Sequence, residues 1–254
     1  MKLLGVCLNP ISLEGFDLNF RSFMAGERSR CMHVVTVNPE YLVEAFGNHV
    51  FRDVLNKADF SLIDGFGLLL AMKIRYPGGE YERVTGVDMI LHLVRQEWMK
   101  GGKVYLLGAG EGVANKAAER LREIARDVVF VADNGHKDIR MSVNSSDLTV
   151  EDRDVIGRIN KQLPDVLLVA YGHPWQDLWI SKVMFRLDKP CLVIGVGGSF
   201  DYISGNVKRA PAWMRSIGLE WLFRLIRQPR RLARIFDAVV VFPFLVLRSK
   251  ITEK

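Results

Sequence analysis

Asp64 is the residue in this sequence that is best placed to act as a general base. It ends an apolar run, Phe60–Asp64, and precedes the glycine-containing stretch Gly65–Gly67. A carboxylate that follows a strand faces the cleft at the sheet edge, where a base must lie within hydrogen-bond reach of the proton that it removes. The position also suits the N-cap of a helix over Gly67–Ile74. The sequence leaves the catalytic and the capping interpretation open.

Other residues that could bind a ligand also stand directly after apolar runs. The three glycines of Gly108–Gly112 would let backbone N–H groups approach a diphosphate, although the stretch lacks the full dinucleotide fingerprint and also suits a plain tight turn. Asn38 and Gln176 could bind a nucleobase or sugar hydroxyls, or could cap the turns in which they lie. Both sets of alternatives stay open on the sequence.

Patterns for metal binding or covalent catalysis are weak. Asp152 and Asp154 form an acid-x-acid pair, but they follow Thr149 at a predicted helix start, where acids favour the helix dipole and Asp152 can complete a capping pair. The histidines show no ligand spacing; they are His33, His49, His92, His136 and His173. No Ser-His-Asp or Cys-His set is apparent. We therefore expect neither a metal cofactor nor a covalent nucleophile.

Alternating strands and helices must position these residues. Most predicted strands are near-continuous aliphatic runs, which is typical of parallel strands covered on both faces. The predicted strands are Leu3–Leu8, His33–Val37, Phe60–Asp64, Lys103–Gly108, Val128–Ala132, Val166–Tyr171 and Leu192–Val196. The predicted helices are Glu40–Phe46, Gly67–Ile74, Asp88–Lys100, Gly112–Arg126, Glu151–Gln162 and Gln176–Arg186. The pattern predicts an α/β fold, a Rossmann-like mostly parallel sheet with helices on both faces and ligands at the carboxyl ends of its strands.

The composition indicates a folded chain whose positive charge is local. Of 254 residues, 49% are hydrophobic and 25% are charged, and the net charge is +6. Val207–Arg234 contains eight lysines and arginines but only one acid, Glu220, so the rest of the chain is nearly neutral. Local charge of this kind indicates one anionic partner surface. Cys7, Cys31 and Cys191 show no metal spacing, which favours reduced, buried thiols in a cytosolic compartment.

The basic segment has the pattern of a helix at a membrane surface. On a helical wheel, five arginines share one arc of about 120°: Arg224, Arg227, Arg230, Arg231 and Arg234. Four apolar residues lie on the opposite side: Leu222, Leu225, Leu232 and Phe236. Pro229 predicts a kink between two short helices, and the apolar run Ile235–Leu247 is too short to span a bilayer but can anchor to one.

The alternative to a membrane-surface helix is a solvated basic helix docked on the domain. Separation of apolar from basic residues argues against a nucleic-acid partner.

A change of composition near Gly205 predicts two units. Residues 1–204 are expected to form an α/β catalytic domain, and residues 205–254 a basic, amphipathic helical appendage that binds an anionic membrane surface and closes over the active site. A nucleotide-dependent oxidoreductase and a non-catalytic nucleotide-binding scaffold of a membrane assembly are alternative functions. The incomplete glycine pattern argues against the oxidoreductase. The oligomeric state stays open, a homo-oligomer included.

Several motifs, taken in order, resemble the WecG/TagA/CpsF family of bacterial glycosyltransferases, glycosyltransferase family 26. The resemblance extends from about Gly5 to Arg234. The motifs are Thr36–Glu40, Asp64–Gly67, Glu82–Asp88, Pro164–Val169, Gly172–Gln176, Gly195–Asp201, Arg209–Pro211, Leu219–Arg224, Pro229 with Arg230, and Arg234. A single one of these motifs would not identify the family, but this number of motifs in this order does.

The resemblance implies an inverting transferase that moves a sugar from a UDP-sugar to a polyprenyl-diphosphate-linked sugar. It implies a role in bacterial cell-surface polysaccharide synthesis, such as that of exopolysaccharide, a teichoic acid linker or common antigen. It further implies a peripheral protein on the cytoplasmic face of the inner (plasma) membrane that needs no metal cofactor.

The resemblance also implies roles for individual residues. Asp64 is implied as the base on the acceptor hydroxyl, in a pocket that Thr36, Asn38, Arg83 and Gln176 line. Their places after neighbouring strands add Gly108, Gly110 and Asp201 to the expected donor site. The arginines expected to bind the lipid diphosphate are Arg209, Arg224, Arg231 and Arg234. Departures from the family pattern at His173–Asp177 and Asn134–Lys137 leave the donor sugar open.

Overall fold

A parallel six-stranded sheet lies at the centre of the computed structural model, which describes residues 1–26 and 29–252. Two short antiparallel strands, β1 (Lys2–Leu3) and β2 (Val6–Cys7), form a separate hairpin. The strands of the parallel sheet are β3 (Met32–Val37), β4 (Phe60–Ile63), β5 (Lys103–Gly108), β6 (Val129–Asp133), β7 (Val166–Ala170) and β8 (Leu192–Gly195). Their order across the sheet is β4-β3-β8-β7-β5-β6.

This strand order places the carboxyl ends of four strands side by side. The chain runs outward from β3 to β4, crosses to β5 and β6, and returns through β7 and β8 to fill the middle of the sheet. Gly195 of β8 pairs with Val35 on one side and Val169 on the other. The loops after β4, β3, β8 and β7 therefore share one edge, where parallel α/β sheets bind ligands.

The predicted parallel strands are confirmed from the second onward, and both faces of the sheet are covered. Val34 and Leu168 pack into a core on one face, whereas Val35 and Val169 are buried on the other. Successive side chains of a strand point to opposite faces, so a strand buried on both faces needs apolar residues at every position. This requirement explains the continuous aliphatic runs.

The N-terminal prediction is wrong. Leu3–Leu8 does not join the parallel sheet but folds back on itself, because Leu4 and Gly5 both adopt positive φ angles, of 49° and 82°. Two successive residues with positive φ make the tight turn of a two-residue hairpin. Cys7 is exposed on this hairpin, so only Cys31 and Cys191 are the buried thiols that the sequence predicted.

Helices cover both faces of the sheet. Those before β6 are α1 (Leu13–Ala25), α2 (Pro39–Gly47), α3 (His49–Lys57), α4 (Phe66–Arg75), α5 (Gly86–Leu93) and α6 (Val113–Ile124). Those after β6 and within the α/β body are α7 (Ile139–Asn144), α8 (Val150–Gln162), α9 (Trp175–Val183) and α10 (Ser199–Ile203). Short 3₁₀ turns occupy Glu97–Met99 and Met184–Arg186.

Two helices differ from the prediction, one in its bounds and one in having been missed. The helix predicted over Asp88–Lys100 begins earlier, because the Thr85 side chain accepts a hydrogen bond from the Asp88 N–H and caps α5, and it ends at Leu93. Helix α1 was not predicted. The buried Phe16 and Phe20, whose ring centroids are 4.3 Å apart, and the partly buried Leu13, Phe23 and Met24 all contact the core, and their helical spacing is a signal that the prediction missed.

The capping pair predicted at the start of α8 is confirmed. The Thr149 side chain accepts from the Asp152 N–H, and the Asp152 side chain accepts from the Thr149 N–H. Asp152 is fully buried and also accepts hydrogen bonds from Ser142 (2.6 Å) and Trp179 (2.8 Å). Its carboxylate is therefore engaged by hydrogen-bond donors of the protein itself.

The C-terminal segment consists of short helices with a break at Pro229, as the sequence predicted. Its elements are α11 (Ala212–Ser216), α12 (Glu220–Arg227), a 3₁₀ turn (Pro229–Arg231), α13 (Leu232–Phe236), a π turn (Asp237–Val241) and α14 (Phe242–Thr252). Residues 253–254, the end of the predicted appendage, lie outside the described residues. Within the described ranges, no helix is both long and apolar enough to cross a bilayer.

The last helix is anchored in the apolar core of the α/β body. Phe242 is 1% exposed and Val246 8% exposed, and both pack in a cluster with Tyr41 and Leu42 of α2. The C-terminal segment therefore lines the cavity with α12 and α13 and then packs one side of α14 against α2. Its final helix is held by burial of apolar surface.

Phe242 and Phe244 offer a matched test of this anchoring, because Phe244 is 61% exposed two residues away. We expect Phe242→Ala to lower the free energy of unfolding by about 3–5 kcal/mol, the usual cost of truncating a buried phenylalanine. Phe244→Ala should change it by less than about 0.5 kcal/mol. Urea unfolding monitored by circular dichroism measures both. Equal losses for the two variants would show that α14 does not dock as described.

Candidate active site

A cavity of about 500 Å³ opens at the shared carboxyl edge of β3, β4, β7 and β8. The loops after these strands form one wall, and the C-terminal segment forms another with α12 and α13. Nine of the predicted site residues line it: Thr36, Asn38, Asp64, Arg83, Asp201, Arg209, Arg224, Arg231 and Arg234. Residues from distant parts of the sequence therefore converge on one site.

Asp64 is held at the end of β4 by its backbone. The Asp64 N–H donates to the Val37 carbonyl (2.7 Å), which extends the β3–β4 pairing by one residue. Gly65 then takes a φ of 111°, and a side chain there would approach Pro39 Cδ within 3.1 Å, so the turn needs glycine. Helix α4 begins with Gly65 as its N-cap, and no side chain caps it. The capping interpretation of Asp64 is therefore wrong, and its carboxylate lines the cavity.

The surroundings of Asp64 raise its pKa to about 6. Burial is the largest cause, because removal from water disfavours the charged form. Arg224 and Arg83 act in the opposite direction, whereas the carboxylates of Glu220 and Asp88 raise the pKa further. A carboxyl group with a pKa near 6 is largely ionised at neutral pH but is a stronger base than an ordinary aspartate, which suits proton abstraction.

Two arginines approach the cavity from the side of α5, Arg83 from the α/β body and Arg209 from the start of the basic stretch Val207–Arg234. The Arg83 backbone forms an isolated parallel β-bridge with Ile63, at the end of β4. The Arg83 guanidinium donates to the Arg215 carbonyl (3.1 Å). Arg209 forms a two-point ion pair with Asp88, at 2.7 and 2.8 Å. Bidentate pairing fixes the plane of a guanidinium group. The Arg209 side chain is therefore oriented before any ligand binds.

Three arginines of the C-terminal segment turn into the cavity. The Arg224 Nε donates to the Tyr202 hydroxyl (2.8 Å), and its guanidinium lies 5.2 Å from the centre of that ring. Arg234 pairs with Glu40 (2.6 Å) and contacts His173 Nδ1 (2.8 Å). Burial, together with the positive charges of Arg224 and Arg234, lowers the pKa of Arg231. A cluster of positive charges that lowers the pKa of one of its members marks a place where an anion would be stabilised.

The predicted single basic face is divided between the cavity wall and solvent on both sides of Pro229. Arg227 and Arg230 stay exposed, whereas Arg224 and Arg231 are partly buried in the cavity wall. On the predicted apolar side, Leu222 and Leu225 are partly buried, and Leu232 and Phe236 are exposed. The wheel failed as a description of the whole segment because it assumed one straight helix.

Comparison with known proteins decides the family. The sequence matches the family model described as the Glycosyl transferase WecG/TagA/CpsF family over residues 1–254. The chain belongs to this family. It is therefore a glycosyltransferase, as the resemblance predicted, and the oxidoreductase and scaffold alternatives are wrong.

Curated relatives agree with this assignment. A protein of Bacillus spizizenii (strain W23) is 32% identical over 235 residues, which cover 90% of this chain and 86% of that protein. A protein of Staphylococcus aureus (strain MW2) is 26% identical over 251 residues, which cover 98% of this chain and 93% of that protein. Both are named N-acetylglucosaminyldiphosphoundecaprenol N-acetyl-beta-D-mannosaminyltransferase.

Three residues predicted for the donor site of this glycosyltransferase lie outside the cavity lining: Gly108, Gly110 and Gln176. Gln176 is fully buried beneath the cavity, where it donates to the Tyr41 hydroxyl (2.7 Å) and accepts from the Gly197 N–H (2.9 Å). Gly108 is buried behind the Tyr171 ring, and its neighbour Ala109 lines the cavity instead. The structure therefore gives Gln176 a supporting place under the site.

The remaining donor-site predictions reach the cavity while serving the fold as well. The Thr36 hydroxyl donates to the Gly195 carbonyl (2.7 Å), and the Asn38 side chain accepts from the Tyr41 N–H (3.1 Å) as the N-cap of α2. Asp201 lies in the first turn of α10, where burial raises its pKa against the effect of Arg231 and Arg224. Asn38 therefore caps a helix, which confirms the capping interpretation, and it also lines the cavity, while its binding of a ligand stays a prediction.

Sequence reasoning missed several cavity residues: Glu40, Tyr41, His173, Tyr202 and Glu220. Glu220 did have a signal, because it is the sole acid of the basic stretch Val207–Arg234. Tyr202 had none, since one tyrosine at the end of a short helix is unremarkable in a sequence. Across the described residues, no group of three or more histidine, cysteine or acidic side chains is arranged to hold a metal ion.

Because folding raises the pKa of Asp64, the folded chain keeps the Asp64 proton between about pH 4 and pH 6, where the unfolded chain has lost it. Ionised Asp64 thus destabilises the folded protein above about pH 6 and has no such effect below pH 4. We expect Asp64→Asn to raise the free energy of unfolding at pH 7.5, by up to roughly 3 kcal/mol, but hardly at pH 4.

Urea unfolding at the two pH values measures this difference. Asp154→Asn, at an exposed position of α8, is the matched control and should show no pH-dependent gain. An equal effect of Asp64→Asn at both pH values would refute the raised pKa.

Proposed function

We propose that this glycosyltransferase moves a sugar from a UDP-sugar to a polyprenyl-diphosphate-linked sugar, with inversion, in bacterial cell-surface polysaccharide synthesis. The names of its relatives support the acceptor class, because they describe transfer to N-acetylglucosaminyl-diphospho-undecaprenol. The observation that carries the proposal is a base at the strand ends, Asp64, in a cavity that five arginines also line. A sugar linked to a lipid through a diphosphate offers a sugar hydroxyl for the base to deprotonate and negative phosphate charges for the arginines to bind.

In the proposed reaction, Asp64 removes the proton from the acceptor hydroxyl as its oxygen attacks the anomeric carbon of the donor. The bond from that carbon to the diphosphate of UDP breaks on the opposite face, so the configuration inverts and UDP leaves with the electron pair. The proton remains on Asp64 and then passes to solvent. Base catalysis of this kind contributes about 10²–10⁴-fold to a rate.

Positive charge for the two diphosphates comes from the protein in this proposal, and no metal cofactor takes part. Arg83 is proposed for the donor, together with Thr36, Asn38 and Asp201, which line the same cavity. The acceptor diphosphate is proposed to meet Arg209, Arg224, Arg231 and Arg234. Guanidinium groups suit this task because their fork of donors matches phosphate oxygens and their charge does not titrate near neutrality.

We further propose that the chain is peripheral on the cytoplasmic face of the membrane and binds there through an apolar stripe. The stripe consists of exposed residues spaced three or four apart along α13 to α14: Leu232, Phe236, Val240, Phe244 and Leu247. Arg227 and Arg230 are exposed nearby, where they could meet anionic headgroups. An apolar surface joined to a few basic residues provides the two signals that stable peripheral binding needs.

The role of Asp64 is tested by Asp64→Asn, which keeps the shape but removes the base. Turnover should fall by roughly 10²–10⁴-fold with a lipid-linked acceptor, while the affinity for UDP hardly changes, since the carboxylate serves the acceptor. Asp154→Asn is the control, and a chelator present throughout tests the metal-free proposal. An Asp64→Asn protein that keeps more than a third of wild-type turnover would sink the assignment, and loss of activity in chelator would contradict the metal-free part.

Membrane binding is tested by co-sedimentation with vesicles of phosphatidylglycerol and phosphatidylcholine. A double variant, Phe236→Ser with Phe244→Ser, should lose most binding at every salt concentration, because it removes apolar area. Arg227→Glu with Arg230→Glu should lose binding chiefly at low salt, where charges are least screened. Phe185→Ser, at a 73% exposed phenylalanine outside the segment, controls for a general loss of apolar surface. If all variants sediment like the wild type, the stripe is not the membrane surface.

A further inference from the structure

Glu220 is the one carboxylate that the C-terminal segment carries into the cavity wall from its basic stretch, Val207–Arg234. It is the first residue of α12, and its side chain is 22% exposed. A lone acid among eight basic residues is unexpected in a surface that only attracts anions. Its position therefore calls for a local role within the site.

The Glu220 carboxylate lies between two arginines, Arg83 of the α/β body and Arg209 of its own basic stretch. One oxygen is 3.3 Å from Arg83 Nη2, and the other is 3.6 Å from Arg209 Nε. Arg209 is already fixed by its two-point pair with Asp88, and Arg83 also donates to the Arg215 carbonyl. Glu220 thus joins α12 to both arginines at once and shares the charge of each.

Charged groups of both signs interact electrostatically with Asp64: Arg83, Asp88, Arg209, Glu220 and Arg224. Helix α12 supplies two of them, one turn apart, and their effects oppose each other. Arg224 lowers the pKa of Asp64, and Glu220 raises it. Without Glu220, the approach of the helix would leave Asp64 a weaker base, because the arginines would stabilise its ionised form.

We propose that Glu220 is a positioning residue of the transfer site, which holds Arg83 and Arg209 in place and balances the positive charge that α12 brings to Asp64. This proposal rests on the function proposed above. In it, the arginines remain available for phosphate, but Asp64 does not become permanently paired with them. Glu220 therefore sets both the strength of the base and the affinity of the cavity for anions.

Glu220→Gln tests both consequences, because it keeps the size of the side chain and removes its charge. The titration midpoint of Asp64 should move to lower pH, and the acid limb of kcat/KM should move with it. Affinity for inorganic pyrophosphate should rise by roughly threefold to tenfold, because one carboxylate no longer competes for the two arginines. Carboxyl ¹³C NMR of aspartate-labelled protein follows the titration, and the Asp64 signal is identified by its loss in Asp64→Asn.

Two further variants separate this role from general effects. Glu119→Gln removes the same charge from an exposed position of α6 and should leave the Asp64 midpoint and the pyrophosphate affinity at their wild-type values. Glu220→Asp keeps the charge and should restore most of the wild-type midpoint. If the midpoint and the affinity in Glu220→Gln both equal those of the wild type, the proposal is overturned. Neither readout requires turnover, so a failure of Asp64 as the base would appear separately, in the activity of Asp64→Asn.

Discussion

A buried polar network beneath the cavity fixes the strand ends on which the site depends. Gln176 links the Gly197 N–H to the Tyr41 hydroxyl, which in turn donates to Asp177 at 2.9 Å. Asp177 lies 3.3 Å from His33 on β3, so the network reaches from α9 to the strand beside β4. Buried polar groups are costly unless every partner is present, and a satisfied network therefore specifies one arrangement.

The same network dictates sequence elsewhere. A side chain at Gly195 would approach Gln176 Nε2 within 2.5 Å and Asp177 Oδ1 within 2.6 Å, so the end of β8 must be glycine for the pair to fit below it. The turn after β8 places Gly197 in the cavity wall. The hydrogen bond from the Gly197 N–H to the Gln176 side chain fixes its position there. The glycines of this loop serve close packing as well as access for a ligand.

These contacts explain how much of the site the sequence could predict. The parallel strands brought Asp64, Asn38 and Asp201 together, because the carboxyl ends of parallel strands must share an edge. Gln176 also follows a strand, but its amide satisfies groups inside the protein, and nothing in the sequence separates an amide that faces a ligand from one that faces the core. The N-terminal hairpin was not predicted, because its turn depends on a positive φ at Leu4 and leucine rarely adopts a positive φ.

The C-terminal segment was the hardest part to predict because it meets three environments in succession. Arg224 must face the cavity, Phe242 must face the core, and Phe236 is left facing solvent. One straight helix could not present residues in all three directions at those separations, and the break at Pro229 with the π turn at Asp237–Val241 resets the direction of the side chains. The irregular helices are thus the means by which one short segment can complete the site, pack into the fold and leave an apolar stripe outside. Any movement of this segment away from the strand ends would withdraw Arg224 and Glu220 from Asp64 together, so its seating and the chemistry at Asp64 are physically linked.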